Sequence, residues 1–436
     1  MPSLNSRLGF YYSPDDQHYT QLDLDTWLPV LGSLGARWLT LQASPDRAIP
    51  ETFIRGLLDA QIEPIIHIPC TVGSVSATDL TPLLNSYARW GVHYVVVLDR
   101  PNIRCNWEAS DWGKTGLIER FIDYVLPILE AQQSAGLQPV LPPLEPGGDY
   151  WDTAFLEAVL ESLLRRGKQD LLQELTLAIY VWTYGKPIDW GAGGFTRWSE
   201  ARPYHTPHGC QDQLGFHIYE WYSEIAERIV QTSLPMLIIA GGELPSLEAV
   251  SLGSDPHTEQ NLSIARSLSN DEVPDFVQNF AFYHLTSTPD LSDHHSAWYP
   301  SVDQPLPVVA AFNQLSNLVI KKPVVSDEKP IQHYLLLPPR STTDYNHNWS
   351  AIGPFVLAVQ PVVGFSPQEA RLAKRVTLFG DEQAIPQKVE EELLDAGCNV
   401  KRFTGAASQK YFASKSPTMS TAQPDTYFSN PGENND

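Results

Sequence analysis

The sequence is poor in basic residues. Its 436 residues include 29 Lys and Arg against 51 Asp and Glu, which gives a formal net charge of -22 at pH 7. A chain with this charge is repelled by the phosphate backbone of nucleic acids and by anionic membrane surfaces. We therefore expect no nucleic-acid partner.

The sequence also lacks long apolar runs and closely spaced cysteines. No run of about 18 apolar residues is present, and the first residues, MPSLNSRLGFYYSPDD, contain no apolar segment of the kind a signal peptide needs. We therefore expect no membrane span and no signal peptide. Cys70, Cys105, Cys210 and Cys398 lie far apart and match no zinc spacing. A reduced compartment, by default the cytoplasm, is the expectation that follows.

Metal and cofactor signals are equally scarce. His205 and His208, and the adjacent His294 and His295, have no Cys, Asp or Glu partners at ligand spacing. We expect neither a metal nor a cofactor.

The chain does contain an alternation of short apolar runs and amphipathic segments, which indicates repeated strand and helix units and a mostly parallel sheet. Eight such units predict a (β/α)8 barrel, the TIM-barrel fold, whose typical size is about 250 residues. We expect the barrel in residues 1–325, a small α/β domain in 331–415 and a disordered tail in 416–436. The predicted barrel strands are 8–13, 37–44, 63–70, 92–101, 138–143, 175–185, 235–243 and 279–285.

The carboxyl ends of the predicted strands carry the candidate functional residues, because chemistry in this fold takes place at that face. Strand four ends Asp99-Arg100-Pro101-Asn102, and strand seven ends Ala240-Gly241-Gly242-Glu243. The candidate ligand-binding residues at these and the neighbouring strand ends are Arg100, Asn102, Glu145, Trp182, Tyr184, Glu243 and Trp298.

These strand ends resemble those of the clan A glycoside hydrolases, in which strand four ends Asn-Glu-Pro-Asn, strand six His-x-Tyr and strand seven Thr-Glu-x-Gly. The resemblance covers about residues 8–315 and implies a retaining site with two glutamates about 5 to 5.5 Å apart. Here Arg100 and Ala240 replace those glutamates, and Trp182 or its neighbour replaces the histidine. Arginine cannot donate a proton near neutral pH, and alanine cannot act as a nucleophile. We therefore expect a glycosidase-like barrel that has lost hydrolysis, a pseudoenzyme.

Other interpretations stay open. Glycoside hydrolysis would survive if Glu243 acted with Glu145 or Asp99 in non-standard roles. In a third class, the barrel is only the scaffold of a structural or assembly protein. Arg100 itself either holds a ligand or pairs with Asp99 or another nearby carboxylate and simply fills the barrel end.

Tryptophans are frequent in the loops after strands four, five, six and eight. Flat aromatic rings cover the apolar face of a sugar and leave its hydroxyls free to form hydrogen bonds. Together with the permanent charge of Arg100, Trp182 and Trp298 predict a carbohydrate ligand, first an anionic sugar and second a neutral oligosaccharide. A protein partner at the same face is the alternative.

Residues 375–405 read as a strand, a glycine turn, a helix and a second strand. This unit is similar to the bacterial cell-wall-binding repeat of type 2, whose ending V-x-R-x-x-G falls on Val400, Arg402 and Gly405. The resemblance implies a bacterial protein attached to the cell surface. The alternative is an ordinary α/β appendage. Residues 331–415 are almost balanced in charge, so this segment is repelled least by an anionic polymer.

Overall fold

The computed structural model divides the chain into two compact units, residues 1–321 and 322–436. The residues that it describes are 7–245, 255–291, 294–321, 329, 331–338, 356, 359–382 and 384–403. The predicted tail and Gly405 lie outside these residues.

The first unit is a TIM barrel of eight parallel strands, as the alternation of strands and helices predicted. The strands pair in the order β4, β3, β2, β1, β8, β7, β6, β5. Their bounds are β1 (Leu8–Tyr11), β2 (Trp38–Gln42), β3 (Glu63–Ile68), β4 (Tyr94–Val97), β5 (Val140–Leu141), β6 (Thr176–Trp182), β7 (Met236–Gly242) and β8 (Val277–Phe282).

Helices follow the strands and cover the outside of the barrel. Among the described residues, none of them is both long and apolar enough to cross a membrane. Their bounds are α1 (Gln21–Ser33), α2 (Glu51–Asp59), α3 (Ala77–Trp90), α4 (Ala109–Trp112), α5 (Leu117–Ala135), α6 (Asp152–Arg165), α7 (Gln169–Glu174), α8 (Gly194–Arg197), α9 (Ile218–Val230), α10 (Pro256–Ser269) and α11 (Pro307–Lys321), with short 3-10 turns at Arg104–Asn106 and His294–Ser296.

Both faces of the barrel strands are buried, as is usual for parallel sheets covered by helices. The inward side chains form a closed apolar cluster, and the outward side chains pack against the helices. The inward cluster is built on Ile65, Val96, Val140, Ala178, Leu237 and Ile239. Side chains therefore fill the barrel interior. The carboxyl ends of the strands are the place where a ligand can bind.

The pairing of β4 with β5 is the weakest part of the barrel wall, and we call this place the seam. Among the described residues, β4 and β5 are joined by a bridge between Tyr94 and Gln138, with Gln138 N donating to His93 O at 3.0 Å, and just past the strand ends Arg100 N donates to Pro143 O at 3.0 Å. The buried side chain of Gln132, on α5, supplies further bonds. Its Nε2 donates to Val95 O at 2.7 Å, and its Oε1 accepts from Val140 N at 2.9 Å. A glutamine amide thus replaces missing backbone pairing between the two strands.

The second unit contains a four-stranded parallel sheet in the order β10, β9, β11, β12. Arg402, the arginine of the repeat-like motif, donates to Gly380 O at 3.2 Å and to Ile385 O at 2.8 Å, and its Nε contacts Glu390 at 2.7 Å. It therefore fixes the loop after β11, and wall attachment stays a prediction. The elements are β9 (Ile331–Leu336), β10 (Val362–Gly364), α12 (Pro367–Ala370), β11 (Ala373–Phe379), α13 (Gln387–Asp395) and β12 (Asn399–Phe403).

Replacing Gln132 by alanine is expected to lower the free energy of unfolding of the barrel by roughly 2–5 kcal/mol, because it leaves a buried carbonyl and a buried N–H without partners. Gln133→Ala, which removes a surface bond to Glu174, should change it by less than about 0.5 kcal/mol. Urea unfolding followed by tryptophan fluorescence measures both. Equal effects of the two variants would show that the Gln132 bonds do not hold the seam.

Candidate functional site

The carboxyl ends of the barrel strands bring together a set of polar and aromatic side chains that we call the mouth. Six strands or the loops directly after them contribute to it. Its members are Tyr11, His67, Asp99, Arg100, Glu145, Tyr180, Trp182 and Tyr283.

Arg100 lies between two carboxylates at the centre of the mouth. Its Nε donates to Asp99 Oδ2 at 2.8 Å, and its Nη1 reaches Glu145 Oε2 at 3.4 Å across the seam. The second oxygen of Asp99 accepts a hydrogen bond from the Tyr180 hydroxyl at 2.8 Å. The guanidinium carries five N–H donors. These two contacts leave other N–H donors of the guanidinium available, and 40% of the side chain is exposed.

The protonation states in this cluster follow from burial and from Asp99. Burial alone would lower the pKa of Arg100, but the Asp99 carboxylate and Tyr180 raise it above its ordinary value. Burial, and then the charge of Asp99, raises the pKa of the Tyr180 hydroxyl. Arg100 is therefore a fixed cation, and Tyr180 stays protonated and donates to Asp99.

The backbone after β4 is strained where it presents these groups. Leu98 and Arg100 have φ values of 73° and 40°, a region that side chains other than glycine rarely adopt. Asn106 Nδ2 holds the bend by donating to Asp99 O at 2.6 Å. Such strain persists only where surrounding contacts fix it, and it is common at functional sites.

Tyr11 and His67 form the floor of the mouth, and sequence reasoning missed them. The Tyr11 hydroxyl lies 3.3 Å from His67 Nδ1 and donates to Gln42 Oε1 at 3.0 Å. Burial lowers the pKa of His67, so its imidazole is neutral. Its Nε2 has no hydrogen-bond partner among the described residues. The alternation of inward and outward residues along the strands could have identified both, because each is an inward residue at the end of an apolar strand.

Aromatic rings line the mouth beside Arg100. Trp182 is half-buried and stacks on Tyr180, with ring centroids 6.0 Å apart, and meets Tyr283 edge-on at 5.5 Å. Tyr283 in turn contacts Tyr11 at 5.4 Å. Trp182 thus lies in the mouth, where the sequence placed it.

Glu243 follows β7 directly, but its carboxylate is held by the loop after β6. Its Oε2 accepts hydrogen bonds from the Thr183 hydroxyl and, at 3.0 Å, from Gly185 N. Burial raises the pKa of Glu243, and the bond from Gly185 opposes this only in part. The group is therefore a half-buried acid of elevated pKa at the rim of the mouth.

Two candidate residues have other roles than the expected ligand contact. Asn102 is fully buried, and its amide joins the loops after β4 and β5 through Glu145 N, Glu145 O and Tyr150 O at 2.8 to 3.0 Å. Trp298 is also fully buried, packed against Phe10 at 4.9 Å. Both side chains are buried in this structure, and their contact with a ligand stays a prediction. The remaining candidate, Tyr184, is 47% exposed beside the mouth.

A cavity of about 160 Å³ opens at the same end of the barrel, in the loops after β1 and β2. Its lining includes Asp16, Tyr19, Ser44 and Arg47. Because β1 and β2 stand across the barrel from β5 and β6, the cavity and the aromatic loops lie on opposite sides of the mouth.

Comparison with known proteins assigns the chain to no family. No family model and no curated protein matches the chain. A GH128 (subgroup I) endo-beta-1,3-glucanase from Amycolatopsis mediterranei is 13% identical over 71% of this chain and 99% of its own, with a TM-score of 0.40. A family 39 glycoside hydrolase from Bacteroides cellulosilyticus WH2 is 12% identical over 73% and 65%, with a TM-score of 0.49. A beta-xylosidase from Caulobacter crescentus CB15 is 12% identical over 72% and 68%, with a TM-score of 0.46.

The loops around the mouth depend on a buried carboxyl group, Asp152. Its Oδ1 accepts from Gly147 N at 2.8 Å and from Gln213 Nε2 at 2.7 Å, and its Oδ2 accepts from the Tyr222 hydroxyl at 2.9 Å. The loop after β5, the long loop after β6 and α9 therefore meet at one side chain. Burial raises the pKa of Asp152 above its ordinary value.

At pH 7, Asp152→Ala is expected to lower the free energy of unfolding by about 2–4 kcal/mol, because three buried donors lose their acceptor. Asp152→Asn removes the buried charge and keeps one oxygen for Gly147 N and Gln213 Nε2, while its NH2 group can donate to the Tyr222 hydroxyl oxygen. The folded pKa of Asp152 exceeds the unfolded one, so wild type loses stability relative to Asp152→Asn as the pH rises from about 4. Urea unfolding between pH 4 and 8 measures this. An asparagine variant as unstable as the alanine variant at every pH would contradict it.

Proposed function

We propose that the barrel binds carbohydrate in the mouth and does not hydrolyse it. The observation that carries the proposal is the arginine at the centre of the mouth. In the resemblance of the strand ends to clan A glycosidases, Arg100 stands in place of the strand-four acid. Asp99 and Glu145 bind it there, and it is a permanent cation. Its unused N–H groups are suited to the hydroxyls of a sugar.

The second position of the retaining mechanism supports the loss of hydrolysis. Ala240 is buried in β7, where the pairing with β6 shifts by one residue so that Ala240 lies beside Tyr180. A methyl group there cannot attack an anomeric carbon. Asp99, the nearest acid to Arg100, is bound by both Arg100 and Tyr180, so it is poorly placed for general acid or base catalysis.

The electrostatics of the mouth favour a neutral sugar over an anionic one. The sequence alone suggested an anionic ligand, because Arg100 brings a positive charge. In the structure, two carboxylates, those of Asp99 and Glu145, lie beside the single positive charge of Arg100. The chain as a whole carries -22, so long-range attraction does not help an anionic sugar either. Trp182 and Tyr283 supply the apolar faces that a neutral pyranose ring needs.

Hydrolysis through Glu243 is the second candidate function. One observation favours it, which is the elevated pKa of this half-buried carboxyl group at the end of β7. A carboxyl group with a raised pKa can remain protonated and donate a proton to a leaving group. Glu145, which contacts Arg100, would have to serve as its partner.

Calorimetric titration of cellobiose, laminaribiose and xylobiose tests the binding proposal, with digalacturonic acid as the anionic comparison. We expect at least one neutral disaccharide to bind more tightly than digalacturonic acid. Arg100→Ala should weaken binding roughly ten- to hundredfold, and Trp182→Ala roughly two- to tenfold. Arg228→Ala, which removes an exposed arginine paired with Glu157 on the outer helices, is the matched control. Binding that both mouth variants retain in full would overturn the proposal.

The same sugars as aryl glycosides, together with the parent polysaccharides, decide between binding and hydrolysis. We expect no turnover. Turnover that is present in wild type and disappears in Glu243→Gln would establish hydrolysis through Glu243 and contradict binding without hydrolysis.

A further inference from the structure

Tyr184 occupies a turn position that is unfavourable for a tyrosine. Lys186 N donates to Thr183 O at 3.0 Å, so Tyr184 and Gly185 are the central residues of a tight turn. Both have positive φ, 54° and 68°, which is the pattern of a type I′ turn. Asparagine, aspartate and glycine are the residues that favour this position.

Tyr204 repeats this arrangement further along the same loop. Arg202 and His205 exchange two backbone hydrogen bonds of 3.0 Å, and Pro203 and Tyr204 form the tip between them. Proline suits its place, but Tyr204 has a φ of 66° where glycine costs least. The loop thus places two tyrosines where glycine or asparagine would be more stable.

The two rings are also exposed. Tyr184 is 47% exposed and Tyr204 is 61% exposed. Trp151 lies beside Tyr204, with ring centroids 5.5 Å apart, and Trp151 N donates to the Tyr204 hydroxyl at 2.8 Å. Backbone strain and solvent-exposed aromatic area are both unfavourable for the free protein, and such features concentrate at binding sites.

These rings continue from the mouth. Thr183 and Gly185, the residues on either side of Tyr184, both donate hydrogen bonds to Glu243 at the rim of the mouth. Asn102 binds the backbone of Tyr150, the residue before Trp151, at 3.0 Å. The rings therefore border the mouth on the side of β5 and β6.

We propose that Tyr184, Trp151 and Tyr204 form an aromatic platform, a second subsite for a glycan chain whose first sugar lies in the mouth. This inference rests on the proposed function and adds to it that the ligand is an extended, neutral, β-linked oligosaccharide. Successive β-linked pyranose rings present flat C–H faces that match spaced aromatic rings.

The polar residues in the loop that carries Trp151 argue for a glycan over a protein. A stable protein interface uses about 20–30 residues a side around an apolar centre. Glu145 and Asp149 lie in the same loop after β5 as Trp151. Hydroxyl groups of a sugar chain can bond to such neighbours, whereas an apolar protein surface would leave them unpaired.

The test compares disaccharides with hexasaccharides of the cello, laminari and xylo series by calorimetry on the full chain. We expect the hexasaccharide of the preferred series to bind roughly tenfold or more tightly than its disaccharide. Tyr204→Gly and Tyr184→Asn should each reduce that gain roughly two- to tenfold, and Tyr204→Gly, which lies further from the mouth along the loop, should leave disaccharide affinity unchanged. Both replacements suit their turns, so circular dichroism and thermal unfolding should show an intact fold. Tyr204→Phe should keep the gain, as should Tyr124→Ala, an exposed aromatic on α5.

The outcomes separate this inference from the proposed function. A gain that survives in Tyr204→Gly and Tyr184→Asn, or no gain at all beside clear disaccharide binding, overturns the platform and leaves binding in the mouth intact. If Tyr204→Gly weakens hexasaccharide binding and Arg100→Ala does not, the result supports a binding site at the platform and contradicts the proposed site in the mouth. Absence of binding by every sugar overturns both.

Discussion

The barrel depends on how it joins β4 to β5. Few backbone hydrogen bonds join the two strands. Side-chain hydrogen bonds add to them, both between the strands and between the loops that follow. Gln132 connects the strands inside the wall, and Asn102 connects the loops above them. The contact from Arg100 to Glu145 crosses the same line. Arg100 and Glu145, at the centre of the mouth, therefore lie on opposite sides of the seam. Side-chain amide and guanidinium groups, more than a continuous ladder of backbone hydrogen bonds, set their positions.

The charges of the mouth form one connected unit. Asp99 accepts from a tyrosine and from an arginine, and that arginine extends to Glu145. The side chain of Asp99 is only 11% exposed, so this carboxylate needs the hydrogen bonds from Tyr180 and Arg100 to stay satisfied. The hydrogen bonds between these groups hold them in one arrangement.

The sequence predicted the fold well, because strand and helix periods are repeated eight times and one misjudged segment does not alter the pattern. It predicted less of the site. Arg100 and Trp182 were found because they stand at strand ends, whereas Tyr11, His67 and Tyr180 were hidden within apolar runs. Trp298 was assigned to the mouth from its place after β8, yet the chain turns back and buries it against Phe10. Tertiary packing of a loop leaves no period in the sequence.

The cluster around Arg100 also constrains how the protein can evolve. A glutamate at position 100 would set a third carboxylate beside Asp99 and Glu145 with no cation among them, and close carboxylates oppose each other's ionisation. Position 240 would need an acid as well. The two ion pairs of Arg100 therefore oppose the replacement of this residue by an acid, and the positive charge at position 100 is what lets Asp99 and Glu145 lie close together.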